Sequence, residues 1–313
     1  MITQEARTTE MPPEPRMSRM SQTPRTSRTP GEIVRRRSRR ASKARTAGFH
    51  LTASFISFLW VAPLLLVVVL SFRSFDDVLS NGLMALPRSF TFRGYTEAWG
   101  NGGGSRGMRN SFIITIPALT FALLLSSLAA FGLSRFRVPF RRTILLIMLA
   151  GNLLPPQIML IPLTRNSEAL GVFDTYFAVI VLHAAFGLGF YVFVLYGFMQ
   201  AIPSEIQQAA IIDGATPFQI YRTIILPLSK PALASMGALG FTGIFNDLLW
   251  SITVLRSENK MPVTASLLGL QGTYVSDWGL ISAATITAAI PTFIVFLRFQ
   301  KSFVDGLTLG AVK

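Results

Sequence analysis

Few side chains in this 313-residue chain have the types and spacing that catalysis requires. The chain contains no cysteine, so disulfides and thiolate chemistry are excluded. Its two histidines, His50 and His183, lie far apart in the sequence and belong to no cluster of nucleophile, base and orienting residue. We therefore predict no catalytic site, no metal site and no bound cofactor.

Two nucleotide-binding patterns bear on ATP chemistry. Gly102, Gly104 and Gly107 match the dinucleotide pattern G-x-G-x-x-G, but they lie in a polar, glycine-rich stretch and not between a buried strand and a helix. This stretch is predicted to be a flexible connector. The phosphate-cradling pattern G-x-x-x-x-G-K-[ST] does not occur, so any ATP hydrolysis must come from a partner.

The most suggestive polar residues lie at positions 202–227, between two long apolar runs. Asp213, Arg222 and three glutamines prevent this segment from crossing a membrane, because an Asp or Arg at the centre of a span costs roughly 2.5 to 3.5 kcal/mol. The same segment is too rich in Ile and Ala for a loop that only connects two helices. We interpret it as a surface for a partner.

Capping residues predict the local structure of this segment. Ser204 and Gln207 have the spacing of a capping box that begins a helix. Gly214 can end that helix in the left-handed conformation, and Thr216 with Pro217 can begin a second one. The prediction is two short helices joined by an elbow at Gly214.

The rest of the chain is dominated by apolar runs. Half of the residues are hydrophobic and 14% are charged, and the runs of about 20 residues match a hydrocarbon core of roughly 30 Å. We predict an all-α integral membrane protein. Its six transmembrane helices are expected at residues 53–72, 111–133, 143–163, 176–198, 232–250 and 279–299.

The basic residues predict the orientation, since Lys and Arg in short loops remain on the cytoplasmic side. One short loop contains Arg135, Arg137, Arg141 and Arg142. We expect this loop, residues 202–227 and both termini in the cytoplasm, although the first outer loop is also basic.

Residues 1–50 carry most of the net charge of +14 and are rich in Ser, Thr and Pro. Such a segment is predicted to be a disordered, basic cytoplasmic tail, followed by a six-span domain at residues 51–313. Because the tail precedes the first span, we expect attraction to anionic membrane lipids, about 1 kcal/mol per basic residue near the surface. Nucleic-acid binding is the less favoured alternative, and we predict no nucleic-acid partner.

Residues 208–214 read Q-A-A-I-I-D-G and residues 224–227 read I-I-L-P. This spacing resembles the E-A-A-x-x-x-G and I-x-L-P patterns of the permease subunits of bacterial binding-protein-dependent ABC importers. The resemblance implies a pair of coupling helices that dock in a cleft of the ATP-binding subunit. The residues that it assigns to ATPase docking are Glu205, Gln208, Ala209, Ala210, Asp213 and Gly214.

Other patterns are similar to the carbohydrate-uptake, maltose-type branch of that family. They include P-P-Q at residues 155–157, Asn246 with Asp247, and the ending G-L-T-L-G-A-V-K at residues 306–313. The resemblance implies that this ending, with Gly310, also contacts the ATPase. A frayed terminus is the alternative.

The chain departs from the family pattern at Gln208, where the family has Glu. An amide keeps the capacity to hydrogen-bond but removes the charge that would pair with a basic residue of the ATPase. Glu205 lies one helical turn earlier and is a partial substitute.

Polar residues in the spans suggest a sugar path. Proline residues in the third span favour kinks and free backbone carbonyls. The side chains that we expect to line the path with them are Asn152, His183, Asn246 and Asp247. For His183, a satisfied structural role is favoured over a place on the path. For Asn152, helix packing or anchoring is an equal alternative.

The resemblance implies an assembly in the bacterial cell membrane. Its members would be this subunit, a second homologous permease, two ATP-binding subunits and an external sugar-binding protein. The alternative is a secondary transporter or channel driven by an ion gradient, which tends to carry ionisable residues at membrane depth. A membrane enzyme is disfavoured because no catalytic cluster is present.

Overall fold

The computed structural model describes residues 30–100, 103–271 and 276–311, with side chains described from residue 48 to residue 300 within these ranges. The chain divides into two units, Met1–Val61 and Ala62–Lys313. Throughout the described ranges the secondary structure is helical, without strands. The α-helices are α1 (Pro30–Leu70), α2 (Phe75–Asn81), α3 (Arg93–Trp99), α4 (Gly104–Arg135), α5 (Arg141–Gly151), α6 (Leu160–Ala169), α7 (Tyr176–Ala201), α8 (Ser204–Ile212), α9 (Pro217–Ile220), α10 (Leu226–Leu228), α11 (Lys230–Phe245), α12 (Leu249–Val254), α13 (Val263–Leu268) and α14 (Trp278–Ala311).

The first unit contains most of α1, which begins at Pro30. Residues 30–50, which the sequence predicts to be disordered, are therefore helical. Pro at the first helical position and the Arg, Lys and Ala residues that follow it all favour a helix. Residues 1–29 of the predicted tail lie outside the described residues.

Among the described residues, four helices are long and apolar enough to cross a membrane. Two are α4 and α7, and the others are the segments Gly48–Leu70 of α1 and Trp278–Gln300 of α14. They coincide with the predicted first, second, fourth and sixth spans. The predicted all-α membrane fold is thus confirmed.

The third and fifth spans are bent pairs of helices, as the prolines of the third span predict and as the sequence analysis did not predict for the fifth. Helix α5 ends at Gly151, and the segment Pro156–Ala169 continues at an angle of 85°. Pro155 and Pro156 explain this break, because neither supplies a backbone N–H and each proline disfavours helical geometry in the residue before it. By length and composition, the described residues contain four candidate spans, or up to six if each bent pair is one span.

The predicted fifth span at residues 232–250 is interrupted after Phe245, where α11 ends. At its N-terminal end, α11 meets the segment Pro217–Leu228 at an angle of 72°. Asn246 and Asp247 follow α11, and the Asp247 carboxylate accepts the N–H groups of Trp250 and Ser251. These bonds begin the separate helix α12 in place of another turn of α11.

Helices α4 and α7 form the centre of the second unit. Ala118 and Ala122 of α4 and Val179 and Val192 of α7 are fully buried in the hydrophobic clusters between helices. Small residues let helix backbones approach closely, which favours association within a membrane. Helices α11 and α14 pack on this pair through clusters that contain Phe241, Phe245 and Ala288.

Candidate functional site

The segment between α7 and α11 forms the predicted pair of helices, and we call residues 204–228 the coupling loop. Its first helix, α8, begins at Ser204. The predicted capping box of Ser204 and Gln207 is wrong, because Pro203 occupies the cap position with ψ of 135° and no side chain caps the helix. Ser204 is instead the first helical residue, one position too late to act as the cap.

The elbow at Gly214 is as predicted. Gly214 has φ of +81°, in the left-handed region that favours glycine. Its N–H donates to the Ile211 carbonyl at 3.0 Å, and the Ala215 N–H donates to the Ala210 carbonyl at 2.9 Å. This pair of bonds is a Schellman motif, which satisfies carbonyls that the end of α8 leaves free.

The second part of the coupling loop begins with the predicted cap. Thr216 and Gln219 form a complete capping box, and Pro217 is at the first helical position. The helix is longer than predicted, since it continues through a π-helical turn at Tyr221–Ile225 into α10. Pro227 accounts for the wide turn, because it cannot donate to the carbonyl four residues earlier and a wider turn makes room for its ring.

The coupling loop has a buried face and an exposed face. Its buried face includes Ala210, Ile220, Tyr221 and Ile225, which join one cluster with residues of α4, α7 and α11. Its exposed face carries apolar side chains, with 85% of Ile212 and 63% of Phe218 accessible, together with Ile206 and Ile211. Exposed apolar groups on a segment that Asp213, Arg222 and three glutamines keep out of the membrane indicate a protein interface.

Most of the predicted docking residues lie together on this exposed side. Glu205, Gln208, Ala209, Asp213 and Gly214 are all exposed. Ala210, in contrast, is buried in the core cluster and does not lie on the exposed side with the other predicted docking residues. Its position is explained by the helical period, since residue 210 faces the opposite side of α8 from Ile212. Gly310 belongs to α14 beyond residue 300, and Ala311 is the last residue described, so the predicted contact of the tail lies outside the described side chains.

Two of the four predicted path residues meet inside the helix bundle. His183 of α7 and Asp247 have side chains only 8% and 10% exposed, and His183 Nε2 lies 3.5 Å from Asp247 Oδ2. The Asp247 carboxylate also accepts the Ser251 hydroxyl at 3.1 Å, besides the two N–H groups that begin α12. His183 Nε2 makes no hydrogen bond at normal distance within the described residues.

The two asparagines lie at helix breaks. Asn246 is exposed and follows α11, next to Asp247. Asn152 is exposed at the end of α5, and its Nδ2 donates to the Met148 carbonyl at 3.1 Å. A Cβ atom at Gly189 of α7 would lie 2.7 Å from this Nδ2. Since Gly189 is six residues beyond His183, about 9 Å along the helix, Asn152 does not belong to the His183–Asp247 group.

The opposite end of α7, which we call the Tyr176 end, contains polar groups that the sequence analysis did not single out. Arg73 is buried, and its Nε donates to Asp77 Oδ2 at 2.7 Å. Arg73 and Asp77 are four residues apart, a spacing at which oppositely charged side chains often pair, so the sequence contained a signal for this ion pair. The Arg73 hydrogen bond holds the pKa of Asp77 below its usual range.

Asp174 organises a second polar group at the Tyr176 end. Its carboxylate accepts the hydroxyl and N–H of Ser257, the N–H of Arg256 and the ammonium of Lys260. The bonds to Ser257 are the main reason that the pKa of Asp174 lies well below its usual range. These partners are more than 80 residues away in sequence, so no local pattern predicted them.

Comparison with known proteins places this geometry in context. The chain is 34% identical over 251 residues to the probable ABC transporter permease protein YurM of Bacillus subtilis (strain 168), covering 80% of this chain and 83% of that protein. It is 28% identical over 280 residues to the diacetylchitobiose uptake system permease protein NgcG of Streptomyces coelicolor, covering 88% and 92%.

A solved structure shares the fold. It is a chain of a bacterial ABC transporter involved in the import of the acidic polysaccharide alginate, with a TM-score of 0.75 and 22% identity. The match covers 84% of this chain and 98% of that one. A family model described as "Binding-protein-dependent transport system inner membrane component" matches residues 122–308, more than half of the chain and all of the coupling loop. The chain therefore belongs to the family of inner membrane components of binding-protein-dependent transport systems.

Proposed function

We propose that this chain is the permease subunit of an ATP-driven importer and forms half of the path for a sugar or related polyol. The observation that carries the proposal is the coupling loop, which has a rigid, capped backbone and an exposed apolar face. Membership of the binding-protein-dependent family supports it. The uptake of diacetylchitobiose, for which the relative NgcG is named, supports a carbohydrate substrate.

ATP hydrolysis is assigned to separate subunits. The chain has no phosphate-cradling motif, and the coupling loop offers a docking surface in its place. In this proposal Glu205, Gln208, Ala209, Asp213 and Gly214 contact the ATPase, and the tail with Gly310 makes a second contact. Burial of Ile212 and Phe218 on docking would supply much of the affinity.

The proposed complex contains this chain, a second homologous permease, two ATP-binding subunits and an external sugar-binding protein. It lies in the bacterial inner membrane, with both termini and the coupling loop in the cytoplasm. The positive-inside rule supports this orientation, since Arg135, Arg137, Arg141 and Arg142 lie at the same end of the helices as the coupling loop.

The proposed sugar path passes the break between α11 and α12. Asn246 is the best candidate for a sugar contact, because its amide is exposed and offers both a donor and an acceptor. His183 and Asp247 form the wall beside it. Asn152 is a separate candidate at the break after α5.

One observation favours the alternative of an ion-gradient-driven transporter. The His183–Asp247 pair is ionisable and buried within the bundle, where such groups are often functional. Uptake experiments distinguish the two functions.

The test uses the complex reconstituted in vesicles, with and without the ATP-binding subunits, and a panel of labelled di- and oligosaccharides with the external binding protein. We expect uptake only with the ATP-binding subunits and ATP, and no effect of a proton ionophore. Uptake without these subunits, or its loss with the ionophore, would favour the ion-gradient mechanism.

A further inference from the structure

A closed loop with an apolar tip begins where the first span ends. The two ends of this loop are joined, because the Thr91 N–H donates to the Phe72 carbonyl at 2.8 Å. Residues 82–87 within it read G-L-M-A-L-P, and we call them the apolar tip. The apolar tip contains no charged or polar side chain, so its side chains lose no hydrogen bonds when they leave water.

The side chains of the apolar tip are not covered by the rest of the described chain. Met84 and Leu86 are 83% and 84% exposed. Close to the tip, Phe90 is 73% exposed although its ring contacts the Phe72 ring. Several exposed apolar side chains on one short segment indicate a contact with another protein or with a membrane.

Two span ends show where the loop lies relative to the membrane. The apolar segment of α1 ends at Leu70, and that of α14 begins at Trp278. These ends are adjacent, since a Cβ atom at Gly279 would collide with the Arg73 carbonyl oxygen and lie 3.4 Å from that of Leu70. Trp278 is about half exposed, and tryptophan is enriched at the boundary between lipid and water. The loop therefore begins at the membrane boundary.

Arg73 holds the apolar tip close to this boundary. The Arg73 side chain is fully buried, and its Nη1 donates to the carbonyls of Gly82 and Leu83 at 2.9 and 3.2 Å. The start of the apolar tip is therefore no farther from Arg73 than one side chain reaches. The Gly82 N–H also has a partner, the Val78 carbonyl at 2.9 Å. Such internal bonds matter because irregular backbone leaves water only when its polar groups are satisfied within the protein.

We propose that the apolar tip inserts into the interfacial region of the membrane leaflet opposite the coupling loop, with Met84 and Leu86 in contact with lipid. Arg88 directly follows the tip and is exposed, so its guanidinium can reach the lipid phosphates while its stem lies along apolar surface. This contact is independent of the transported substrate and of ATP.

The observations favour a lipid surface over a protein partner. The tip continues the exposed apolar surface of α1, which includes Leu64, Leu65 and Val68. Its lack of polar side chains provides no directional contact of the kind that fixes the orientation of a protein partner. The bonds from Arg73 to the tip carbonyls lower the cost of leaving water, for which a loop in solvent has no need.

The absence of cysteine from the chain allows a test with single fluorescent labels. Met84→Cys and Asn259→Cys are labelled separately, in the whole complex with cysteine-free partner subunits, in vesicles of phosphatidylethanolamine and phosphatidylglycerol. Asn259 is the matched control, since it is exposed at the Tyr176 end in a polar stretch. We expect spin-labelled lipid to quench the label at residue 84 and not at residue 259. Aqueous iodide should quench the label at residue 84 several-fold less than the label at residue 259.

A charge at the tip provides the second measurement. Leu86→Glu, combined with the label at residue 84, should restore iodide quenching and reduce quenching by lipid, because a carboxylate disfavours insertion. Leu86→Met should leave both values unchanged. Leu86 is exposed, so neither variant disturbs the core, and copurification of the partner subunits checks that the fold is intact.

Two results would overturn the proposal. The first is iodide quenching at residue 84 as strong as at residue 259. The second is protection from iodide without quenching by lipid, because the tip would then lie against a protein. If that protection appeared only on addition of the external binding protein, the tip would be part of its docking site. A complex without ATP-dependent uptake would contradict the proposed function and would leave these quenching values unaffected.

Discussion

The two ends of the helix bundle differ in how their acidic side chains are partnered. Helix α7 spans 26 residues, about 39 Å, and separates the Tyr176 end from the coupling loop. At the Tyr176 end, charged groups find partners within the chain, as in the buried pair of Arg73 and Asp77 and the contacts of Asp174. At the other end, the acidic residues Glu205 and Asp213 of the coupling loop are exposed, beside the exposed apolar side chains of Ile212 and Phe218.

Exposed apolar side chains occur at both ends, since Leu86 near the Tyr176 end is 84% exposed, so apolar exposure alone does not identify a docking surface. The groups at the Tyr176 end stabilise the chain itself, because their hydrogen bonds are satisfied internally. In the coupling loop, the capping box at Thr216 and the Schellman motif at Gly214 also satisfy backbone groups within the chain. The apolar side chains of its exposed face, however, are not buried by the rest of the described chain. A capped backbone with an exposed apolar face is the arrangement that we propose for docking of the ATPase.

The strongest test of this comparison exchanges one glycine at each end. Gly214 and Gly103, which precedes α4 at the Tyr176 end, both have φ in the left-handed region, +81° and +71°, and a Cβ atom at either would meet nothing within 4 Å. Gly214→Arg and Gly103→Arg should therefore cause similar backbone strain, about 1–2 kcal/mol. We expect only Gly214→Arg to abolish copurification of the ATPase and uptake. Equal loss in both variants, or normal partner binding in Gly214→Arg, would contradict the assignment of the docking face.

The second test removes a charge at the Tyr176 end. Arg73→Leu leaves the Asp77 carboxylate without its cation while its side chain stays almost inaccessible to solvent, which should lower the melting temperature clearly. Arg93→Leu is the control, since the Arg93–Glu97 pair has the same spacing but an exposed guanidinium. Thermal unfolding in detergent should show a large shift for the first variant and little for the second. Equal shifts would show that burial does not distinguish the pairs.

The third test compares exposed apolar side chains. Ile212 in the coupling loop and Leu86 near the Tyr176 end are 85% and 84% exposed. Ile212→Ser should weaken ATPase binding by about 10-fold or more, because burial of such a side chain is worth roughly 1.5–3 kcal/mol. Leu86→Ser should leave ATPase binding unchanged, and neither variant should change thermal stability. Titration of the ATPase with each purified variant measures this difference.

The smallest expected effect is on pH dependence. The pKa of Asp77 and that of Asp174 are lower in the folded chain than usual, so each group contributes stability above the ordinary carboxyl pKa of about 3.9. That stability should be lost as pH falls from about 5 towards the depressed values. Asp174→Asn should begin less stable and show a shallower dependence on pH. Thermal unfolding between pH 3 and 7 checks this, and equal slopes would remove Asp174 as a cause.

Local sequence signals predicted the coupling loop well and failed where a neighbouring residue changed the local geometry. Thr216 caps its helix as predicted, because its extended backbone precedes Pro217 at the first helical position. Ser204 has the same chemistry but follows Pro203, which takes the cap position itself. The two sites differ because the first helix begins one residue earlier than predicted, and composition and spacing do not determine a helix boundary to within one residue.

Breaks within spans were harder to predict. The prolines near residue 155 indicated a kink, but the 85° bend depends on how α5 and α6 pack on their neighbours. At the end of α11, the interruption comes from Asp247, whose carboxylate begins α12 and contacts His183. A hydropathy pattern reads both regions as continuous because it measures transfer to lipid and contains no helix-capping geometry.

The sequence by itself determined the membrane fold, the position of the coupling loop, the elbow at Gly214 and the absence of a phosphate-binding motif. These features depend on residue type and on spacing within a few turns. The tertiary structure decided which side of α8 is buried, the meeting of His183 with Asp247 and the hydrogen bond between Tyr221 and Ser127, 94 residues apart. Such contacts depend on how helices pack, because residues distant in the chain become neighbours only when their apolar faces are buried together.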